Sequence, residues 1–374
     1  MKKIVGIFIV LLILSSITLS STSSQTSHGT IIIVDDEGDG DFTKIREAIS
    51  YAQSGDTIYV YSGTYEELVD LNKPIILIGI SEELENGSDF GKPLIFYQVR
   101  VFSDECTFSG FGISSNNNFL IGIYSNMNII TNNHLDCRSN NVEYGILLEN
   151  VDNNLINQNK ITGNAQRGIY IFNSNQNRVC NNSLIGPGWP LSIQLCKNTL
   201  ISNNTIFSYS GRRGMFLYNS ISTNFSYNYL KGAHWGISMY GDGCQDTIIS
   251  HNIFIDNSWT ILIDQCENTL IQNNLFQDNL NAIVLDCTHD TFVERNNFIN
   301  SMYEDAYVCW PLWFPLTKPP KNNIFDSNYW DNIGSMDKKR IPIRLSIYDA
   351  MFPSQIPYSF TYDVNPAEEP YDIP

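Results

Sequence analysis

The residues able to do chemistry fall on one recurring frame. His234, Trp235 and Tyr240, with Arg213 and Tyr218 one repeat earlier, hold the parts for elimination or epimerisation at a uronic acid. His234 or Tyr240 would take the C5 proton, and the Arg213 guanidinium would neutralise the carboxylate. Asp264 and Asp286 occupy the same place in successive repeats. In a stacked fold that brings their carboxylates to about 5 Å. Such a pair suits a retaining glycosidase, a single acid of raised pKa, or a calcium ion held by hard oxygen ligands. An exposed acidic ladder that tolerates its own repulsion fits the same spacing. Trp189, Phe216, Tyr218, Trp235 and Trp259 supply ring faces of the kind that stack on sugars, beside arginines that pair with carboxylates. The same rings would also serve to cover a sheet face. No group of these residues unites acid, base and charge neutraliser, which ranks binding of a polysaccharide or envelope glycan above catalysis by a lyase, epimerase or hydrolase.

The frame that must position them is a repeat. A small residue followed by Ile-x-Ile-like alternation recurs at Gly122, Gly145, Gly168, Pro190, Gly214, Gly236, Thr260 and Ala282, at spacings of 22 to 24. An asparagine follows in each unit: Asn133, Asn159, Asn182, Asn204, Asn228, Asn252, Asn274 and Asn297. A leucine-rich repeat has a similar period but needs an L-x-x-L-x-L frame. Here short period-two bursts of Ile, Phe and Leu alternate with Asn, Gly and Ser, which is the pattern of strands and turns. Three such strands per turn predict an all-β chain, a right-handed parallel β-helix. Ile123, Ile146, Ile169, Leu191, Met215, Ile237, Ile261 and Ile283 are expected to form one inward column, and the asparagines a hydrogen-bonded ladder at a turn. Counting from the small residue, positions two (Tyr124 to Val284) and four (Asn126 to Asp286) face outward. With the preceding Tyr144, Arg167, Trp189, Arg213, Trp235 and Trp259 they make an aromatic and acidic stripe.

Solenoids must close their ends. Asp41 to Gln53 reads as an amphipathic helix with Ile45, Ala48, Ile49 and Ala52 on one face and Asp41 or Thr43 at its start. The acidic run Asp35 to Asp41 partly fits a calcium loop, but position twelve is Arg46 rather than Glu; a turn that puts negative charge at the helix start is the better reading. After Asn300 the period fails, and a tail with Trp310, Trp313, Phe314, Pro319 and Pro320 is expected to pack over the far end. Lys2 and Lys3 before an apolar run from Ile4 to Leu14 read as a signal peptide over 1–24, with the solenoid and its cap over 30–300 and a capping segment over 301–374. These place the protein outside the cell or on its surface, with no membrane span once the signal is removed. The net charge is −17, from 39 acidic against 22 basic residues, which excludes nucleic acid as a partner. Cys266 and Cys287 could form a disulfide, although stacked free thiols fit the eight cysteines better. No metal ligand set is assigned, and calcium is the one cofactor the acids admit.

Gly40-Asp-Phe-Thr-Lys-Ile-Arg-Glu-Ala-Ile and Gly55-Asp-Thr-Ile-Tyr-Val-Tyr-Ser-Gly-Thr-Tyr-Glu-Glu resemble the opening of NosD-like and pectinesterase-like β-helix proteins. The repeats from Gly122 to Asn300 look like those shared with carbohydrate-binding and sugar-hydrolase domains. Asn328-Tyr-Trp-Asp-Asn matches the element that ends NosD-like helices, and Asn365-Pro-Ala-Glu-Glu-Pro-Tyr-Asp is similar to the tails of secreted prokaryotic, often archaeal, members. The resemblance implies fold and cellular address more than chemistry, because the group includes lyases, epimerases, hydrolases and adhesins. NosD itself is linked to copper-site assembly, which implies an accessory role in building a metal site. Ile333-Gly-Ser-Met-Asp-Lys-Lys-Arg departs from the Asp- and Gly-rich stretch usual there. Met215 and Met239 fall in inward columns, and His134, His234, His251 and His289 share no common offset, which speaks against copper.

Overall fold

The computed structural model describes residues 29–373 except 85–88, 140, 209–212, 312–319, 332–339, 347–356 and 364. The expected signal peptide lies outside the described residues, as do Trp313, Phe314 and Pro319 of the tail. Short strands rich in β-branched and aromatic residues stack coil on coil into two sheets of 13 strands and one of 12. Every pairing is parallel except that of Arg340–Ser346 with Pro357–Tyr362. The result is the expected right-handed parallel β-helix, about twelve coils long. Among the described residues no helix is long and apolar enough to cross a membrane.

Inward side chains fill the barrel. Ile146, Ile169, Leu191, Met215, Ile237, Ile261 and Ile283 stack in register and are fully buried. The first of the repeats departs from expectation: Ile121, not Ile123, faces Ile146, and Ile123 faces Leu148. Both remain inward, because a shift of two keeps side-chain parity. Tyr124 and Asn126 therefore leave the rows assigned to them, and Asn126 instead accepts a hydrogen bond from the Asp152 N–H at 2.7 Å. Near the C-terminal end Phe254, Phe276, Phe298 and Trp330 stack at 5.2, 4.8 and 4.1 Å between ring centres.

The asparagine ladder runs from Asn133 to Asn328. Asn204 shows the unit: its Oδ1 accepts from both the N–H and the Nδ2 of Asn182 at 3.0 Å, while its own Nδ2 donates to the Val179 carbonyl at 2.8 Å and to Asn228 Oδ1 at 3.0 Å. Buried turn backbone is satisfied in this way, coil after coil. The penultimate rung is Asn296 rather than Asn297, and Asn296 hands on to Asn328. The residue before each rung has a left-handed backbone, as at Asn132, Asn181, Asn203, Tyr227, His251 and Asn273. Asparagine tolerates that conformation best among residues with a side chain, which explains much of its abundance.

Both ends are closed. The N-terminal helix spans Ile45–Tyr51, with Ile45, Ala48 and Ile49 buried. Neither Asp41 nor Thr43 caps it. Glu67 does so from the first coil, accepting from the N–H groups of Ile45 and Arg46 at 2.8 and 3.0 Å, whereas Asp41 accepts from Ile33 N–H. The far end extends one coil beyond Asn300. Glu304–Pro311, Ile324–Asp326 and Tyr329–Trp330 continue the three sheets. The ladder spacing of 32 from Asn296 to Asn328 conceals that coil in the sequence. Asp363 then ends the ladder. Its Oδ2 accepts from Asn328 N–H at 3.0 Å, Asn328 Nδ2 at 2.9 Å and Trp330 Nε1 at 2.8 Å. All eight cysteines are free and buried.

Candidate functional site

The expected stripe lies on one sheet, made by Tyr144–Glu149, Arg167–Phe172, Trp189–Gln194, Arg213–Tyr218, Trp235–Tyr240, Trp259–Asp264 and Asn281–Asp286. Along one edge, in register, run Tyr144, Arg167 and Trp189, then Arg213, Trp235 and Trp259. Coils lie about 4.8 Å apart, close to the distance at which a guanidinium meets a ring face. Arg167 sits 5.6 Å from the Tyr144 ring centre, 4.9 Å from Tyr170 and 5.5 Å from Trp189. Arg213 lies between two indoles, 4.4 Å from Trp189 and 4.6 Å from Trp235. The edge is thus a ladder of alternating rings and cations.

The two arginines differ in their counterions. Arg167 pairs with Glu143 at 3.6 Å, and Glu143 also accepts from the Tyr144 hydroxyl at 2.9 Å. Burial, reinforced by that hydrogen bond, pushes the Tyr144 phenol up to about 12. Arg213 has no acidic partner among the described residues, and burial between the indoles pushes its guanidinium below the usual arginine range. His234 sits edge-on to Trp235 at 4.5 Å.

The opposite edge of the same sheet carries Gln194, Tyr218, Tyr240, Asp264 and Asp286, again in register. Asp264 and Asp286 are therefore neighbours on adjacent strands. From Arg213 to Tyr218 the strand advances five residues, about 16 Å. The sequence candidates accordingly form two groups, His234 with Arg213 on one edge and Tyr240 with the two acids on the other. Between them Phe216 bridges, with Trp189 at 4.7 Å and Tyr240 at 5.9 Å.

The stripe is not open along its whole length. Leu262, Val284, Tyr307 and Cys309 point away from the core yet are buried, forming a second apolar cluster against which Trp235, Tyr240 and Trp259 pack. The more open part lies towards the N-terminus, where Tyr218 is 41 % exposed. Cys266 and Cys287 do not stack as a pair. Cys266 instead neighbours Cys244 closely enough for a hydrogen bond between the thiols, and the Cys287 N–H bonds to the Cys309 carbonyl.

Three features escaped the sequence reading. A cleft of about 300 Å³ on another face is lined by His134, Asp136, Arg138, Thr162 and Asn164. A second, of about 400 Å³, lies beside the capping helix between Lys44, Arg46, Tyr65, Glu67 and Tyr97. The third is a knot of acids in which Asp35, Asp36 and Glu37 meet Glu83 and Asp89. Only the run at 35–41 was visible as a sequence signal; its partners stand some fifty residues further on.

Such an architecture defines a parallel β-helix repeat protein. Solved structures similar to it include XylC in complex with xylose (12 % identity over 78 % of this chain and 86 % of that one, TM-score 0.53). PfbA, a surface adhesin of Streptococcus pneumoniae, gives 14 %, 76 %, 79 % and 0.51, and a GH136 lacto-N-biosidase from Eubacterium ramulus gives 13 %, 80 %, 67 % and 0.53. At these identities the likeness is one of fold. No curated protein matches the sequence. The chain belongs to the periplasmic copper-binding protein (NosD) family, whose model matches residues 99–188 and 197–311, more than half of it.

Copper calls for imidazole, thiolate or thioether donors gathered at one point. Met215 and Met239 are fully buried in the core and all eight cysteines are buried. His251 is a turn residue stacked on Tyr227, His134 starts strand His134–Cys137, His234 precedes strand Trp235–Tyr240 of another sheet, and His289 bridges Glu267 and Lys321. Among the described residues, the groups of three potential ligands consist of carboxylates alone. The described donor set does not fit copper.

Proposed function

We propose that the protein is an exported β-helix of the cell envelope or exterior that binds an acidic polysaccharide along the stripe between Tyr144 and Tyr240. The observation that carries this reading is Arg213, held between Trp189 and Trp235 with no acidic partner among the described residues. A cation flanked by ring faces offers stacking to a sugar and charge to its carboxylate at one place. Export rests on the basic and apolar N-terminus together with the periplasmic address of the family.

A second reading, glycoside hydrolysis or elimination, is favoured by the in-register pair Asp264 and Asp286. It ranks lower because the base and cation candidates His234 and Arg213 lie across the sheet. A panel of uronate-rich and neutral polysaccharides, with and without calcium, distinguishes the two. Retention on uronate columns without new reducing ends or unsaturated products, weakened about tenfold or more by Arg213→Ala and Trp189→Ala, is the expected result. Turnover lost in Asp264→Asn or Asp286→Asn would replace binding with catalysis. Neither retention nor turnover would remove carbohydrate from the account.

A further inference from the structure

We infer that the protein carries a calcium site at its N-terminal end, formed by Asp35, Asp36 and Glu37 with Glu83 and Asp89. The first three follow strand Ile31–Val34; the other two belong to the segment after strand Ile76–Gly79. One oxygen from each of Asp35, Glu37 and Glu83 lies within 4.8 Å of the others, and the same holds for Asp36, Glu37 and Asp89. Calcium binds oxygen at about 2.3–2.6 Å, so ligands on opposite sides of one ion stand about 5 Å apart. Within each of these two triads, which share Glu37, the oxygens stand at the separation that ligands around one calcium ion keep.

An independent observation points to a ligand. Asp35 is fully buried, and its Oδ2 accepts from the N–H groups of Gly38 and Asp39 at 3.2 and 3.1 Å. Its Oδ1 is buried with no hydrogen-bond partner. Asp36 is half-buried: its Oδ2 takes the Thr64 N–H at 2.9 Å, and its carboxylate lies within hydrogen-bond reach of Glu37. A buried carboxylate oxygen without a donor is unfavourable unless a cation meets it. Among the described residues no lysine or arginine forms an ion pair with any of the five acids. Room for Asp36 is kept by Gly63, where a Cβ would lie only 2.0 Å from Asp36 Oδ1. The hydroxyl of Tyr65 senses the same field: burial, then Asp36, Asp35, Glu37 and Glu83, push it far above its ordinary value.

The donor chemistry selects the ion. Hard oxygens from two irregular segments suit calcium's flexible six to eight ligands better than the strict octahedron of magnesium, and do not suit copper. Bound there, the ion joins the turn after the first strand to the segment after Ile76–Gly79 and so clasps the opening coil of the solenoid.

The test uses the full mature chain and calcium alone. Isothermal titration should show one calcium bound, with a rise in the unfolding temperature that chelator reverses. Terbium in its place should emit on excitation of tyrosine, through Tyr65, and calcium should quench that emission. Glu37→Gln and Glu83→Gln replace half-exposed or exposed side chains and leave the buried Asp35 intact. Each should weaken calcium by about tenfold or more, while Asp264→Asn/Asp286→Asn should leave the titration unchanged. No calcium uptake at millimolar concentrations, uptake unaltered by Glu37→Gln and Glu83→Gln, or uptake lost in the Asp264/Asp286 double variant would each overturn the assignment.

Discussion

Truncating one rung of the ladder, Asn204→Ala, tests what holds the coils in register. Four hydrogen bonds disappear: two accepted from Asn182 and two donated, to the Val179 carbonyl and to Asn228. They are not equal losses. Asn182 Nδ2 keeps the carbonyls of Ile156 and Cys180, and Asn228 Oδ1 keeps the Asn204 N–H. The Asn182 N–H is left buried without its acceptor, which costs about 1–3 kcal/mol, and the lost bonds and small cavity raise the total to about 2–4 kcal/mol. Asn203→Ala is the control one residue away: the position is exposed and left-handed, so only the backbone preference of about 1 kcal/mol is at stake. Because solenoids open locally, urea unfolding should be read together with hydrogen exchange in Arg178–Cys180 and Thr205–Phe207. Faster exchange confined to the coils around Asn204, with a destabilisation well beyond that of Asn203→Ala, is expected. Equal effects from the two variants would refute the claim that the ladder carries the register.

Three further outcomes follow from the same geometry. Asp363→Ala removes the acceptor of four hydrogen bonds, three at Oδ2 and one at Oδ1, and should destabilise the C-terminal end by about 3–5 kcal/mol, with Ile324–Asp326 and Tyr329–Trp330 exchanging first. The eight thiols should be inert to a thiol reagent in the native protein and all titrate on unfolding; fewer than eight would reveal a disulfide. His134 should titrate below its ordinary value by NMR, because burial, followed by Lys160, disfavours its charged form. Its proton is thus bound more readily by the unfolded chain, so its contribution to stability is lost as pH falls through the ordinary histidine range, and Lys160→Ala should move the midpoint upward.

The solenoid was legible because two markers, a small residue before each inward burst and an asparagine after it, repeat together. Where an insertion separated them, legibility failed. The ladder spacing of 26 from Asn133 to Asn159 already betrays extra residues in a coil counted at 23, and there Tyr124 and Asn126 were given wrong rows. The last coil disappeared behind its 32-residue spacing. In-register pairing of Asp264 with Asp286 and of Trp235 with Arg213 was readable, since parity and period fix rows. Burial of Val284 and Leu262 was not, since period says which way a side chain points and nothing about what lies over it. Nor could local sequence join Glu67 to the helix start or Glu83 to Asp35, contacts made only when the chain has come full circle.

The asparagine ladder also has a direction. From rung to rung each amide donates towards the C-terminus and accepts from the N-terminal side, so these dipoles add head to tail and their positive end emerges beneath the last coil. A carboxylate waits at that end: Asp363 takes the two final donors of Asn328 as an anion takes the start of an α-helix. Polarity of this kind makes the solenoid extensible from within. A coil inserted or deleted in the middle leaves the sum ending on the same charge, whereas a chain cut anywhere before Asp363 would present a row of donors with nothing to receive them.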